Sequence, residues 1–298
     1  MQVILLYLAI VMIWGSTWIV IPFQLGEVAN EMSVGYRFSI AAVMLYLYAI
    51  ATRRKLALPR DAFRFVYLQG LLLFSLNYLL IYYGTAYITT GLVAVVFSTV
   101  IIFNAIFGRI FFRTPLGTRV LVAAVIGIVG IALIFWPEIS EVSWQDASVT
   151  GIALVLFGTM IASLGNMAAV VNTQRALPVV AVNAHSMAMA GLTSVLIGLL
   201  LGKDLNFSFT SEYVISLTYL SLFGSAIAFG CYLALIRRIG AAKTAYSAVV
   251  VPIVALIIST IFEGYQWTAI AIVGIILTLI GNWLVLSRPV KKPNKTES

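Results

Sequence analysis

Charge is the scarcest ingredient of this 298-residue chain: only 9% of its residues are Asp, Glu, Lys or Arg, while 62% are hydrophobic. A soluble domain of this size carries nearly three times that charge fraction. The mean hydropathy of +1.07 cannot be hidden in one globular core, so the bilayer is the solvent the composition requires. There is one cysteine, Cys231, and one histidine, His185. A lone cysteine excludes an intrachain disulfide, and with a single His no His/Cys set for a structural metal exists. No Walker loop is present, which argues against ATP hydrolysis, and no Ser-His-Asp set has a second His to draw on. The sequence therefore calls for no cofactor and no metal.

What remains is a series of uncharged stretches. They fall near 3–23, 33–52, 65–84, 88–108, 118–136, 150–170, 180–201, 213–235, 244–262 and 267–287. Each is close to the roughly 20 residues a helix needs to cross about 30 Å of hydrocarbon. The first, Val3 to Phe23, lacks a basic leader and exceeds a signal-peptide core, so it reads as a permanent span. No charge separates the third stretch from the fourth, and Gly84 is the expected turn between them.

The loops alternate in sign. One set carries Arg53, Arg54, Lys55 and Arg60, then Arg113, Arg175, Arg237, Arg238 and Lys243, then the tail from Arg288 to Lys295. The other carries Glu27, Glu31, Glu138, Glu141, Asp146, Asp204, Glu212 and Glu263, with Lys203 as its only basic residue. Basic residues near span ends stay cytoplasmic, so both termini are expected there. The net charge of +8 is thus a topology signal and not a nucleic-acid footprint.

The chain also repeats. A shift of 151 residues lays Ala123, Gly127 and Gly130 on Gly274, Thr278 and Gly281, each triplet a small-residue helix face. Five spans per repeat is an odd number, so the halves must be inverted, a plan common among secondary transporters. The expected fold is all-α, ten transmembrane helices in two inverted five-helix repeats. The expected division is 1–137 and 150–287 for the repeats, 138–149 for an extracytoplasmic linker and 288–298 for a basic tail.

Trp14-Gly15-Ser16-Thr17 resembles the Trp-Gly-Ser signature of the EamA branch of the drug/metabolite transporter superfamily. Arg37-Phe38 followed by Ile40-Ala41-Ala42 resembles that family's second span. Arg238 to Ala242, leading to Pro252 and Glu263, resembles the penultimate span of its second repeat. The first repeat departs from this pattern, with Ile101 and Phe112 at the positions matching Pro252 and Glu263. The resemblance implies a multi-pass transporter of the bacterial inner membrane, an exporter of small metabolites such as amino acids. An intramembrane enzyme and a sensor or scaffold are the rival classes. Oligomeric state is left open; the lipid bilayer and a small-molecule substrate are the partners implied.

Polar and aromatic residues recur at helical spacing within the spans. The candidate substrate-binding set is Trp14, Thr17, Asn77, Tyr78, Tyr82, Phe97, Asn104, Ser163 and Asn166. Such groups are costly in hydrocarbon and should face protein or water, either lining a cavity or bonding helix to helix. Trp18 and Tyr87, near span ends, read as interface anchors. Arg37 reads as snorkelling outward toward Glu31, with recognition of an anionic substrate group as the alternative. No acid falls at mid-span, so His185 and Glu263 are the candidates for coupling to protons, and Glu263 is expected to face solvent.

The topology has a direct test. In a chain with Cys231 replaced, a reporter cysteine at Ser143 is expected to label from outside intact cells and one at Asn294 is not. Reversed labelling overturns the orientation.

Overall fold

The computed structural model describes residues 2–113, 118–134, 136, 147–239, 247–265 and 267–286. Most of the expected linker and the expected basic tail lie outside the described residues, as does the start of the predicted ninth span. Among the described residues the chain is helical, with no strand. With no water to satisfy it, a backbone in hydrocarbon must bond within its own helix.

The helices are α1 (Gln2–Val20), α2 (Asn30–Ala51), α3 (Phe63–Gln69), α4 (Asn77–Thr85), α5 (Thr90–Ser98), α6 (Val100–Phe112) and α7 (Thr118–Ile134). They continue with α8 (Ala147–Gln174), α9 (Val179–Leu200), α10 (Ser211–Tyr219), α11 (Ala228–Ile239), α12 (Ser247–Phe262) and α13 (Ala269–Leu286). Wider π-helical turns join α3 to α4 (Gly70–Leu76) and α10 to α11 (Leu220–Ile227), making each pair one continuous rod. Among the described residues, seven helical segments are long and apolar enough to cross a membrane, and shorter apolar helices occur at Val125–Ile134, Val249–Phe262 and Ala269–Leu284.

The bundle has two chemically distinct ends. At the acidic end, Ser208 donates to the Glu27 carboxylate (2.7 Å) and Tyr83 to Glu31 (2.5 Å). At the basic end, Arg175 pairs with Asp61 and Arg238 donates to Gln2.

Gly84 is not the turn. It lies inside α4, where an added Cβ would come 2.6 Å from Val155 Cγ2, so its smallness lets α4 rest on α8. The turn falls instead at 86–89, after α4 ends at Thr85. The sequence alone could not separate a glycine that breaks a helix from one that lets two helices touch.

The small faces of α7 and α13 do meet. A Cβ on Gly130 would collide with Thr278 Oγ1 and lie 2.6 Å from the Gly274 carbonyl. One on Gly281 would lie 2.7 Å from the Ala123 carbonyl and 3.0 Å from the Gly127 amide. The carbonyls and the amide are backbone and cannot rotate away. Overpacking costs about 1–3 kcal/mol where side chains can yield, and here the backbone cannot. Gly281→Leu is therefore expected to lower the melting temperature in detergent by several degrees. Gly230→Ala, where nothing lies within 4 Å of the new Cβ, should leave it nearly unchanged. Equal melting temperatures for both variants would remove this packing argument.

Candidate functional site

The most unusual side chain of the bundle is Arg37, only 2% exposed although it sits on a span. It lies seven residues beyond the start of α2, about 10 Å along the axis. It does not snorkel. Its guanidinium carbon stands 4.6 Å from the centre of the Tyr78 ring and 5.3 Å from that of Phe38. Nε donates to Ser225 Oγ (3.3 Å) and Nη1 makes a long contact with the Tyr82 hydroxyl (3.5 Å). Glu31, the expected partner, is itself buried and accepts from Tyr83 instead. Among the described residues the only ion pair is Arg175–Asp61, so Arg37 has no carboxylate within bridging distance.

Local structure explains how Arg37 is held. In the π-helical turn Leu220–Ile227, Ser225 Oγ donates back to the Leu220 carbonyl five residues earlier (3.1 Å) and accepts from Arg37. Gly224, beside it, leaves room for two neighbours: a Cβ there would lie 2.8 Å from Thr17 Cγ2 and 3.3 Å from Arg37 Nη2. The Gly224 carbonyl, in turn, accepts from Trp14 Nε1 (3.3 Å). Trp14 packs against Phe229 (5.6 Å) and Tyr232 (5.3 Å). Phe229 meets Phe74 (5.4 Å), Phe74 meets Phe38 (5.4 Å), and Phe38 meets Tyr78 (4.8 Å). The rings thus run in a line from Trp14 to Tyr78, and the Arg37 guanidinium with the Gly224–Ser225 turn completes the circuit back to Trp14. It draws together Trp14, Thr17, Tyr78 and Tyr82 of the expected set. Sequence reading placed Arg37 outside that set and missed Phe229. The missed signal was that Arg37 is the only basic residue in α2.

Asn104, Ser163 and Asn166 form a second cluster, between α6 and α8. Asn104 Oδ1 accepts from Ser163 Oγ (2.8 Å) and Asn166 Nδ2 (3.2 Å). Asn77 is 1% exposed and donates to the Leu73 carbonyl of its own rod (3.1 Å), while its Oδ1 is buried with no partner. That oxygen faces Gly158 of α8, whose added Cβ would lie 3.7 Å away. Phe97 belongs to neither cluster; it packs on Trp18 (5.3 Å). Trp18 is half-buried and turns its indole inward onto Phe97 rather than out as an interface anchor, and its buried Nε1 has no partner.

The coupling candidates sit apart. His185 is held between the rings of Tyr46 and Phe63, each 5.4 Å away, and its Nδ1 lies 2.9 Å from the Ala181 carbonyl. A carbonyl only accepts, so that nitrogen carries the proton. Glu263 does not simply face solvent. Its carboxylate accepts from the Thr90 amide (3.0 Å), the Thr90 hydroxyl (2.8 Å) and the Ser259 hydroxyl (2.5 Å). It caps the first turn of α5 from a different helix, meeting donors that would otherwise be orphaned. No group of three or more His, Cys, Asp or Glu among the described residues is arranged to hold a metal.

A groove of about 460 Å³ opens on the basic half of the bundle, lined by α2, α9 and the α10–α11 rod. Met44, Tyr48, Arg54, Asn183, Ala226 and Phe229 are on its wall. None of the expected site residues lines it. It touches the aromatic circuit through Phe229.

Comparison with known proteins agrees with this architecture. The EamA-like transporter family profile matches residues 1–136 and again 149–287. The chain is 28% identical over 296 residues to the uncharacterized inner membrane transporter YedA of Escherichia coli K12, covering 96% of this chain and 93% of that one. It is 22% identical to protein PagO of Salmonella typhimurium, covering 95% and 92%. It is 21% identical to the uncharacterized transporter YoaV of Bacillus subtilis, covering 94% and 95%. One crystal structure of a protein aligns with a TM-score of 0.67 at 14% identity, over 94% of both chains, and shares the fold.

The Asn104 cluster generates its own test. Asn104→Leu leaves two donors on α8 without an acceptor. Interhelical hydrogen bonds in membranes average about 0.6 kcal/mol and reach about 1.7. Expected is a loss on the order of 1–2 kcal/mol in a detergent unfolding titration. Adding Ser163→Ala to the Asn104→Leu variant removes one stranded donor and should restore part of the loss. A neutral Asn104→Leu would mean that the pairings contribute nothing.

Proposed function

The chain belongs to the EamA-like transporter family, and from that premise we propose a secondary transporter that exports small amphipathic metabolites, such as amino acids, across the cytoplasmic membrane by alternating access. It is a multi-pass membrane protein. The observation that carries the proposal is the polar and aromatic circuit around Arg37 and Trp14, enclosed by helices whose outer faces are apolar. Transport sites of this kind hold a few placed polar groups among aromatic walls. On this reading the chain has ten spans in two inverted repeats, 1–137 and 150–287, both termini are cytoplasmic, and the site lies between the repeats. Support comes from the family match in two segments and from the two π-helical turns, about 150 residues apart in equivalent rods.

The substrate-binding set is Trp14, Thr17, Asn77, Tyr78, Tyr82, Phe97, Asn104, Ser163 and Asn166, joined by Arg37. Transport is passive or weakly proton-linked. The acidic end is tied shut by Glu31–Tyr83, Glu27–Ser208 and Glu263–Thr90, and the groove opens on the basic half, which suits an inward-facing state. An intramembrane enzyme or a sensor without transport is the rival, and solute flux separates them.

The test is counterflow of amino acids, nucleosides and cationic drugs in proteoliposomes, with and without an imposed pH gradient. Expected is flux above protein-free liposomes for at least one amphipathic solute, reduced several-fold by Asn77→Ala and Tyr78→Ala at unchanged protein yield. Accumulation driven by pH and abolished by His185→Ala or Glu263→Gln would overturn the passive reading.

A further inference from the structure

We infer that Arg37 is the residue that reads the substrate's charged group, and that this group is a single carboxylate on a small solute with an apolar body. The inference rests on the transport reading and adds to it the chemical identity of what is held. It begins from an imbalance of charge. Among the described residues, the groups that the contacts place against the guanidinium are neutral: Ser225 and Gly224 from the π-helical turn, Phe38 from α2, and Tyr78 and Tyr82 from α4. The nearest acid on its own helix, Glu31, is six residues away, about 9 Å along the axis, and is engaged by Tyr83. A guanidinium carries five N–H donors, and the contacts present occupy one on Nε and one on Nη1. Aromatic faces attract a cation but leave its donors unused.

The unused donors point to a planar, bidentate acceptor, the geometry in which arginine binds carboxylates and phosphates. Charge decides between the two. The site offers one positive charge in an apolar interior. A monoanion neutralises it, whereas a phosphate monoester would leave a net negative charge buried with no partner. Gly224 lets its turn and Thr17 of α1 approach Nη2 with no side chain of its own between them. The apolar body of the ligand has its surroundings too: Ala226 and Phe229, on the same π-helical rod as Ser225, form part of the groove wall.

The experiment uses the full-length chain in proteoliposomes with matched probe pairs, N-acetyl-L-leucine against N-acetyl-L-leucinamide and N-acetyl-L-phenylalanine against N-acetyl-L-phenylalaninamide, each a monoanion against its neutral amide, with phenyl phosphate as competitor. A site built around a hydrogen-bonded polar group rejects the analogue lacking it strongly. At least one acid is therefore expected to move about tenfold or more faster than its amide in the wild type, with phenyl phosphate competing poorly. Arg37→Met should bring the acid-to-amide ratio to about one, through loss of acid flux. Arg37→Lys should retain part of the preference, and Ser225→Ala should reduce it several-fold. Ser225→Ala and Arg37→Lys serve where Arg37→Met fails to fold.

Equal flux of acid and amide in an active wild type overturns this inference and leaves the transport reading standing. So does a lowered melting temperature in the Arg37 variants with an unchanged ratio, which identifies the arginine as a helix staple. Phenyl phosphate outcompeting both acids assigns the site to phosphate and also overturns it. No flux for any probe or any solute of the wider panel, with folded wild-type protein, removes the transport reading and this one with it.

Discussion

Close approach of helix backbones is the constraint on which the rest of this molecule depends. In lipid, apolar side chains gain nothing by leaving the solvent, because the solvent is as apolar as they are. Association must come from packing and from bonds between polar groups, and both need helices near one another. At the α7–α13 contact the neighbours of Gly130 and Gly281 include carbonyls and amides of the facing helix, so almost no side chain stands between the two. The same device serves the site. Gly224 is the reason Thr17 of α1 and Arg37 of α2 can both reach one turn of the α10–α11 rod.

That rod shows why the turn is π-helical. A regular α-helix sends each carbonyl to the amide four residues on. Widening over Leu220–Ile227 loosens this ladder, and Ser225 Oγ takes up the Leu220 carbonyl while accepting from Arg37. Wider turns of this sort recur at functional sites. Arg37 is then held by a hydroxyl and by rings, with no acid. Cation–π attraction, worth about 2 kcal/mol or more when desolvated, offsets only part of the several kcal/mol that burying an ion costs. A structural role alone would be better served by an apolar residue of similar volume. A cation held in the aromatic circuit without a carboxylate partner is the physical ground on which the proposed ligand role rests.

Much of this was legible in the sequence, for reasons that differ by level. The apolar stretches, the all-helical character and the family were readable because the bilayer imposes its dimensions on composition. The meeting of α7 with α13 was readable because small residues at i, i+4 and i+7 have few other uses. Side-chain direction was not readable. Arg37, Trp18 and Gly84 were each assigned by depth along a helix: near an end for the first two, mid-stretch for the third. Depth says nothing about azimuth. Arg37 faces inward, Trp18 packs on Phe97, and Gly84 touches Val155, all because of which neighbour lies on that side. The nine-residue candidate set failed to stay together for the same reason. Four members share the aromatic circuit, three form the Asn104 cluster, and Asn77 and Phe97 face other partners.

The inventory of acids needs the same correction. Counting by position found none at mid-span. Burial adds what position does not reveal: Glu31, in the first turn of α2, is only 1% exposed, and its Oε2 has no hydrogen-bond partner. Glu263, expected in solvent, accepts from both polar groups of Thr90 and from Ser259. Both carboxylates thus join helices at the acidic end, one through a phenol and one through an amide and two hydroxyls. Opening that end requires breaking these contacts, and a bare carboxylate left behind in a low-dielectric pocket is costly unless water enters with the opening. A hydrogen-bonded closure on one side while water enters the other is what the proposed single-site carrier needs in order never to be open to both sides at once.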